Sequence, residues 1–358
     1  MKIDSLTIHN HTYSQQILTE LCDSKIRNDH TPIWEKEVYG FILQWLDDSD
    51  TIIQYSSGTT GKSKMIRLQK LAMIRSAEST CRFFNLTRGQ TAALCLPMEY
   101  IAGKMMVVRS IVCGLNLYIT EPKSKPDFHD IEKIDFCAMV PFQVTNTWPA
   151  KNNLPSIRFL IIGGSEISKE LESLVKDIPV QVYATYGMAE TCSHIALRRI
   201  NGPNPDISYK ALTGIKLETD PRNCLVIKAS YLPAPVITND QVRLEGNGRF
   251  RWIGRFDNLL NSGGIKVVPE EVESALEAKT GIEFALIGLP DPKLGQRLVL
   301  VTEKSKEPIS EEAIRTELTL LIPAKLMPKD IVRIEKFPRN SSFKIDRMKL
   351  ARSVYEML

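Results

Sequence analysis

Between residues 92 and 184 short apolar runs alternate with stretches whose apolar positions recur at helical spacing. The runs cover residues 92–96, 117–119, 136–140, 158–162 and 180–184. The intervening stretches 104–113 and 168–176 carry helical periodicity, the second opened by Ser168 as N-cap with a glutamate two residues on. This alternation predicts a layered α/β domain. The strand ending at Ile162 runs into Gly163-Gly164-Ser165, and the one ending at Thr185 runs into Tyr186-Gly187-Met188-Ala189-Glu190. Ligands of such sheets collect at the carboxyl ends of strands, so these two turns are the first places to look for chemistry.

The pattern changes after Asp206. Short strands at 225–228, 241–244 and 250–253, separated by turns, predict a small β subdomain. A break at Gly254-Arg255-Phe256-Asp257 is followed by the Gly263-Gly264 turn, a helix from Pro269 to about Ala278, strands at 284–288 and 298–302, and a helix over 310–321. About the last hundred residues thus predict a compact α+β domain. No internal repeat is present.

Composition narrows the class without naming it. The 358 residues are 43% hydrophobic and 25% charged, as soluble globular chains are, and the net charge of +4 comes from basic residues interspersed with acids, so no nucleic-acid surface is expected. The most apolar stretch, around residues 105–119, is too short to span a bilayer and contains Arg109, and the N-terminus has no signal-peptide pattern, which predicts a cytoplasmic protein without stable membrane insertion. Seven cysteines without a CxxC pair suggest reduced thiols. Five histidines show no metal-ligand spacing.

The densest chemistry lies after the strand-like Thr51-Ile52-Ile53-Gln54, in Tyr55-Ser56-Ser57-Gly58-Thr59-Thr60-Gly61-Lys62-Ser63-Lys64. Glycines let a backbone approach a ligand closely, and hydroxyls, N–H groups and lysine compensate phosphate oxygens. Gly58 and Gly61 enclose only two residues, so this is not the Walker A loop of P-loop NTPases. On composition alone, a phosphate cradle and a flexible linker are both open.

Five separated segments together resemble one family, the adenylate-forming acyl-CoA ligases. Tyr55 to Lys64 resembles its phosphate loop, Gly163-Gly164-Ser165 its adenine-contacting turn, and Tyr186 to Glu190 its Tyr-Gly-Met-Thr-Glu motif. Asp240 and Gly254 to Asp257 resemble the ribose-binding aspartate, the ribose-binding arginine (Arg255) and the interdomain hinge. Residues 338–347 resemble the loop of the catalytic lysine, here Lys344. The resemblance implies a large N-terminal domain over residues 1–254, N-terminally shortened, a small mobile domain over 258–358, and a hinge near Asp257. It implies ATP, Mg²⁺ and coenzyme A as co-substrates and metal, with Ser56, Ser57, Gly58, Thr59, Thr60, Gly61, Lys64, Gly163, Gly164, Ser165, Tyr186, Gly187, Asp240 and Arg255 on ATP. Glu190 would hold Mg²⁺ and, with Lys344, serve catalysis, while Tyr100, Ser193 and His194 would line the acyl site. The block Gly254 to Gly264 followed by Pro269-Glu270-Glu271-Val272-Glu273 resembles the o-succinylbenzoate–CoA ligase subgroup of menaquinone biosynthesis.

The pattern also departs from the family. Only about fifty residues precede the phosphate loop, Tyr100 stands where histidine is usual, Ala189 replaces the threonine before Glu190, and Phe343 replaces the glycine before Lys344. Another acyl-CoA ligase, an enzyme loading an acyl group onto a carrier protein, and a silent nucleotide-binding regulator are the alternatives. The partners expected are small molecules, with homo-oligomerisation open.

Overall fold

The computed structural model describes residues 3–56, 64–148, 156–165, 167–304, 309–339 and 345–358, with Ser56 described by its backbone alone. Ser57, Gly58, Thr59, Thr60 and Gly61 of the expected phosphate loop, and Phe343 and Lys344, lie outside the described residues. The chain divides into two compact units, Met1–Leu217 with Ile227–Val236, and Glu218–Val226 with Ile237–Leu358. The expected hinge residue Asp257 lies inside the second.

In the first unit the chain forms β1 (Ser5–Ile8), β2 (His11–Ser14), α1 (Gln15–Arg27), α2 (Ile33–Leu46), β3 (Thr51–Ser56), β4 (Lys64–Gln69), α3 (Lys70–Phe84), β5 (Thr91–Leu94), α4 (Ile101–Cys113), β6 (Asn116–Ile119), β7 (Lys133–Met139), α5 (Pro141–Thr147), β8 (Ser156–Ile162), α6 (Lys169–Val175), β9 (Gln181–Gly187), β10 (His194–Arg199) and β11 (Tyr209–Ala211). The main sheet runs in the order β11-β10-β9-β8-β7-β5-β6-β1-β2. From β9 through β1 neighbouring strands are parallel, whereas β9–β10, β10–β11 and β1–β2 are antiparallel. Side chains alternate strictly across it. Phe136, Ala138, Phe159 and Ile161 enter a core shared with α1 to α4, while Cys137, Met139, Leu160 and Ile162 enter a second core shared with α5 and α6. Burial on both faces is why these strands read as continuous apolar runs instead of alternating ones.

The first fifty residues form complete elements. The β1–β2 hairpin extends the sheet beside β6, and its turn residue Asn10 is clamped by Asn116 and Tyr118 through hydrogen bonds of 2.6–3.0 Å. The structure corrects the expectation of reduced thiols at one pair. Helices α3 and α4 lie side by side and bring Cys81 and Cys113, 32 residues apart in sequence, to a Cα separation of 6.7 Å as a disulfide. Cys22, Cys95, Cys137, Cys192 and Cys224 are free and buried. Among the described residues no helix is long and apolar enough to cross a membrane.

The chain continues through β12 (Ile215–Thr219), β13 (Cys224–Ala229), β14 (Val236–Gly246) and β15 (Arg249–Arg255), the last two an antiparallel hairpin. In the second unit there follow β16 (Leu260–Ser262), β17 (Ile265–Val267), α7 (Pro269–Thr280), β18 (Phe284–Asp291), β19 (Gly295–Glu303), α8 (Glu311–Leu321), β20 (Asp330–Ile334) and α9 (Arg347–Met357). Strand β19 pairs antiparallel with β18 and parallel with β20. Leu286, Leu298 and Leu300 face α7 and α8, while Ala285, Ile287, Val299 and Val301 face α9. This is the expected α+β arrangement. Pro269 opens α7 and Ser310 caps α8, its Oγ accepting the Ala313 N–H at 3.1 Å.

One glycine sets the approach of α4 to the segment before it. A Cβ on Gly103 would stand 2.3 Å from the Pro97 carbonyl oxygen and 2.9 Å from its carbon. Alanine favours helix over glycine by about 1 kcal/mol, but both obstructing atoms are backbone. Gly103→Ala is therefore expected to destabilise by about 1–3 kcal/mol, as overpacking does. Urea unfolding checks the sign, since a stabilised variant would mean that propensity outweighs the clash.

Candidate functional site

Parallel register brings the carboxyl ends of three strands level, with Met139 beside Ile162 and Ile162 beside Ala184. The turn Gly163-Gly164-Ser165 leaves β8 at that edge, its Gly163 N–H donating to the Met139 carbonyl at 3.2 Å. The Thr185 hydroxyl donates to the Ile162 carbonyl, also at 3.2 Å, and holds β9 against the start of the turn. The residues expected at the adenine and the Tyr186 to Glu190 segment therefore stand side by side, as neighbouring strands dictate.

Strand β9 then runs on to pair antiparallel with β10, His194 opposite Gly187 and Ala196 opposite Tyr186. A Cβ on Gly187 would fall 2.3 Å from the Ser193 carbonyl oxygen and 2.4 Å from the His194 Cα, so only glycine permits this approach. Between the strands lies the 3₁₀ turn Ala189–Thr191 carrying Glu190. Thr191 closes it: its hydroxyl accepts the Met188 N–H at 3.1 Å and donates to the Ser193 carbonyl at 2.7 Å. Cys192 takes the left-handed conformation, φ +65°, uncommon for a side-chain-bearing residue and found where local structure over-determines the backbone.

The β3–β4 hairpin packs on that same turn. Ser56 pairs with Lys64, so two residues of the run expected to hold phosphate sit on the hairpin that meets the Glu190 turn. Among the described residues no group of three or more His, Cys, Asp or Glu side chains could hold a metal. The half-exposed Glu190 offers one carboxylate. That donor set fits Mg²⁺ delivered as part of a nucleotide substrate, an ion that takes one or two carboxylates besides phosphate oxygens and water.

Behind the turn lies a buried polar group that sequence reasoning did not assign. Arg109 of α4 is 1% exposed. Its Nη2 donates to Ser193 Oγ at 2.7 Å and to His194 Nδ1 at 3.4 Å, and its guanidinium lies over the Phe136 ring at 5.8 Å. Its Nε is buried without a partner, and among the described residues no carboxylate pairs with it. Burial pulls the guanidinium down to about 9, which leaves it charged at neutral pH. Because Arg109 can only donate, His194 Nδ1 must accept and Nε2 carries the proton, donating to Thr80 Oγ1 at 3.1 Å while Thr80 donates to the Ser76 carbonyl at 3.1 Å. Burial first, and the Arg109 charge second, hold His194 well below its ordinary range. Ser193 and His194, expected near the acyl group, are thus together, leading into a strand. Tyr100, N-cap of α4, is half-buried.

In the second unit Asp240 and Arg255 are opposed across the β14–β15 hairpin, 3.6 Å apart at their nearest charged atoms. Asp240 accepts from Trp252 Nε1 at 3.3 Å, and its N–H donates to Thr238 Oγ1 at 3.1 Å. Asp257 takes Arg255 at 2.6 Å and Asn239 at 2.8 Å. Arg339 and Ile345 form a β-bridge, and the Asp346 N–H donates to the Pro338 carbonyl at 2.8 Å.

A histidine kept neutral by burial makes stability pH-dependent with a definite sign. Its folded pKa lies below the unfolded value of about 6.5, so between those two values the unfolded chain binds more protons and stability falls as pH drops, by up to about 1.4 kcal/mol per pH unit. Urea midpoints between about pH 5 and pH 7 are expected to fall less steeply in His194→Gln than in the wild type. His9, also lowered by burial, contributes to both and cancels. Equal slopes would mean that His194 titrates normally.

Residues 15–219, more than half of the chain, match the family described as AMP-binding enzyme. The chain is 26% identical over 327 residues to the 2-succinylbenzoate–CoA ligase of Listeria monocytogenes serotype 4b, covering 83% of this chain and 69% of that protein. It is 32% identical to an acyl-CoA synthetase (AMP-forming)/AMP-acid ligase II-like protein from Dyadobacter fermentans, with a TM-score of 0.60 and coverage of 95% and 98% of the two chains. The o-succinylbenzoate CoA synthetase of Bacillus subtilis, solved with its acyl-adenylate intermediate, shares the fold at a TM-score of 0.70 and 21% identity, over 83% of this chain and 68% of that one. The chain belongs to the AMP-binding enzyme family, as an AMP-forming acyl-CoA ligase.

Proposed function

We propose that this ligase activates o-succinylbenzoate, an aromatic keto acid with two carboxylates, and passes it to coenzyme A. The observation that carries the substrate reading is Arg109, a buried cation without an acidic partner among the described residues, beside the two polar residues expected at the acyl group. An uncompensated buried charge costs several kcal/mol. A substrate with a second carboxylate supplies the missing countercharge when it binds. The names of relatives such as the Listeria enzyme support the same reading.

In the proposed first half-reaction one substrate carboxylate oxygen attacks the α-phosphorus of ATP, the bond from that phosphorus to the bridging oxygen breaks, and pyrophosphate leaves. Asp240 and Arg255 hold the ribose, Gly163 to Ser165 and Tyr186 border the adenine, and Glu190 holds the Mg²⁺ that arrives with the phosphates. Residues 56–61 and Lys64 cradle the phosphates, and Lys344 neutralises charge developing at the α-phosphate. In the second, the sulfur of coenzyme A attacks the acyl carbonyl, gives up its proton, and AMP leaves. Residues 258–358 turn about Asp257 between the steps, so that Lys344 serves only the first.

Pyrophosphate release across a panel of carboxylic acids, with and without coenzyme A and with the product identified by mass, tests the reading. The expected outcome is selective formation of o-succinylbenzoyl-CoA. Pyrophosphate release without a CoA thioester would favour carrier loading, and no turnover with any acid would favour a silent regulator. Arg109→Met is expected to raise KM for o-succinylbenzoate about a hundredfold, the value of a lost charge-assisted pair, with KM for ATP unchanged. It is also expected to raise the urea midpoint, because it removes an unpaired buried charge. Loss of both stability and ATP affinity would make Arg109 structural instead. Lys344→Ala is expected to abolish adenylation while sparing thioester formation from supplied acyl-adenylate, and equal loss of both steps refutes the division of labour.

A further inference from the structure

Gln54 lies on β3, two residues before Ser56, and points inward from that strand, 1% exposed. Its Nε2 donates to two backbone carbonyls at once, Tyr55 at 2.8 Å and Glu99 at 2.8 Å. The first carbonyl belongs to Tyr55, the first residue of the run that resembles the phosphate loop, and the second lies one residue before Tyr100, the aromatic residue expected on the acyl side. Its Oε1 accepts from Lys104 Nζ at 2.8 Å, and Lys104 also donates to the Ile53 carbonyl at 3.4 Å. An ammonium cannot accept a hydrogen bond, so Lys104 fixes which end of the amide faces it and leaves the NH₂ group to the two carbonyls. Lys104 itself stands over the Phe41 ring at 6.0 Å, one helical turn beyond Tyr100 on α4.

Resting on the adenylation reading above, we infer that Gln54, oriented by Lys104, is a positioning residue that ties the root of the phosphate loop to the acyl-side segment 97–100. The carboxylate must meet the α-phosphorus in line with the departing pyrophosphate, and a misplacement of 1 Å is enough to lower the rate about a hundredfold. The two substrates bind to different parts of the chain, and those parts are 45 residues apart in sequence at this contact. A single buried amide bonded to both sides holds their separation without touching either substrate. Binding of each substrate alone does not require that separation to be right, but the adenylation step does.

Three variants test this. Gln54→Leu keeps bulk and removes both donors, Gln54→Glu turns acceptors toward two carbonyls, and Lys104→Met leaves the amide without its orienting partner. Gln54→Leu is expected to lower kcat for pyrophosphate release at least about tenfold, with calorimetric affinities for ATP and for the acid each held within about threefold. Thioester formation from supplied acyl-adenylate is expected to stay within about threefold of wild type. Gln54→Glu should lose more and Lys104→Met less, in the same pattern. Amide exchange gives a readout independent of turnover: MgATP is expected to protect residues 97–104 in the wild type and not in Gln54→Leu. An unchanged kcat, an equal loss of both half-reactions, or ATP-induced protection that survives in Gln54→Leu overturns the inference. If the wild type releases no pyrophosphate with any acid, the adenylation reading fails by itself and the exchange result decides the inference. If the Gln54 variants do not fold, the partly exposed Lys104→Met carries the same comparison.

Discussion

Everything at the expected nucleotide edge of the first unit depends on the close contact of two backbones, Gly187 of β9 against Ser193 and His194 at the start of β10. From β1 to β9 the sheet is parallel, and β7, β8 and β9 end level; between β9 and β10 it turns antiparallel. The chain must reverse within the six residues between Gly187 and His194, and it does so with a 3₁₀ turn, a threonine that bonds both ends of it, and Cys192 in a left-handed conformation. The reversal presents Glu190 beside the β3–β4 hairpin, which leads into the expected phosphate loop, and sends Ser193 and His194 back into the core beneath. A side chain at position 187 would push those two layers apart.

The second constraint is electrostatic. Helix α4 is apolar over most of its length, yet it carries Arg109 into the interior and Lys104 to its margin, and among the described residues neither meets a carboxylate. Lys104 spends its charge on carbonyl oxygens and an amide, which is compatible with stability. Arg109 rests on a serine hydroxyl, a neutral imidazole and an aromatic face, with one N–H unpartnered. Such a group is poorly explained as a contribution to folding, since an apolar residue there would serve stability better. It is well explained as a contribution to binding an anion, where the same desolvation strengthens the attraction.

What could be read from the chain followed from local rules. Alternation of short apolar runs with helical spacing gave the strands β5 to β9 and the helices α4 and α6 to within a few residues, because strands buried on both faces leave a continuous apolar signature. Ser168 caps α6 as its position suggested, and Ser310, read only as the start of a helix, caps α8. The buried network was not legible, because its members are far apart in sequence: Thr80 meets His194 across 114 residues and Arg109 meets Ser193 across 84. The one available signal was an arginine within an apolar helical run. The Cys81–Cys113 disulfide escaped for the same reason, since only the side-by-side packing of α3 and α4 brings the sulfurs together. Family motifs point to expected site segments residue by residue, but they do not include Gln54, whose hydrogen bond reaches a carbonyl of another segment.

A common feature links these side chains. Each is oriented by a protein neighbour before any ligand arrives: Arg109 by Ser193 and His194, Gln54 by Lys104, Asp240 by Trp252, and Asp257 by Asn239 and Arg255. Carboxylate attack on a phosphorus asks the protein for no nucleophile of its own, so its contribution is placement and countercharge fixed in advance. Placement set by hydrogen bonds that face away from the substrate is easily lost to a change that leaves every substrate contact in place. For that reason the residues that orient others, more than those expected to touch ATP, are where a substitution would change the rate while leaving the expected substrate contacts in place.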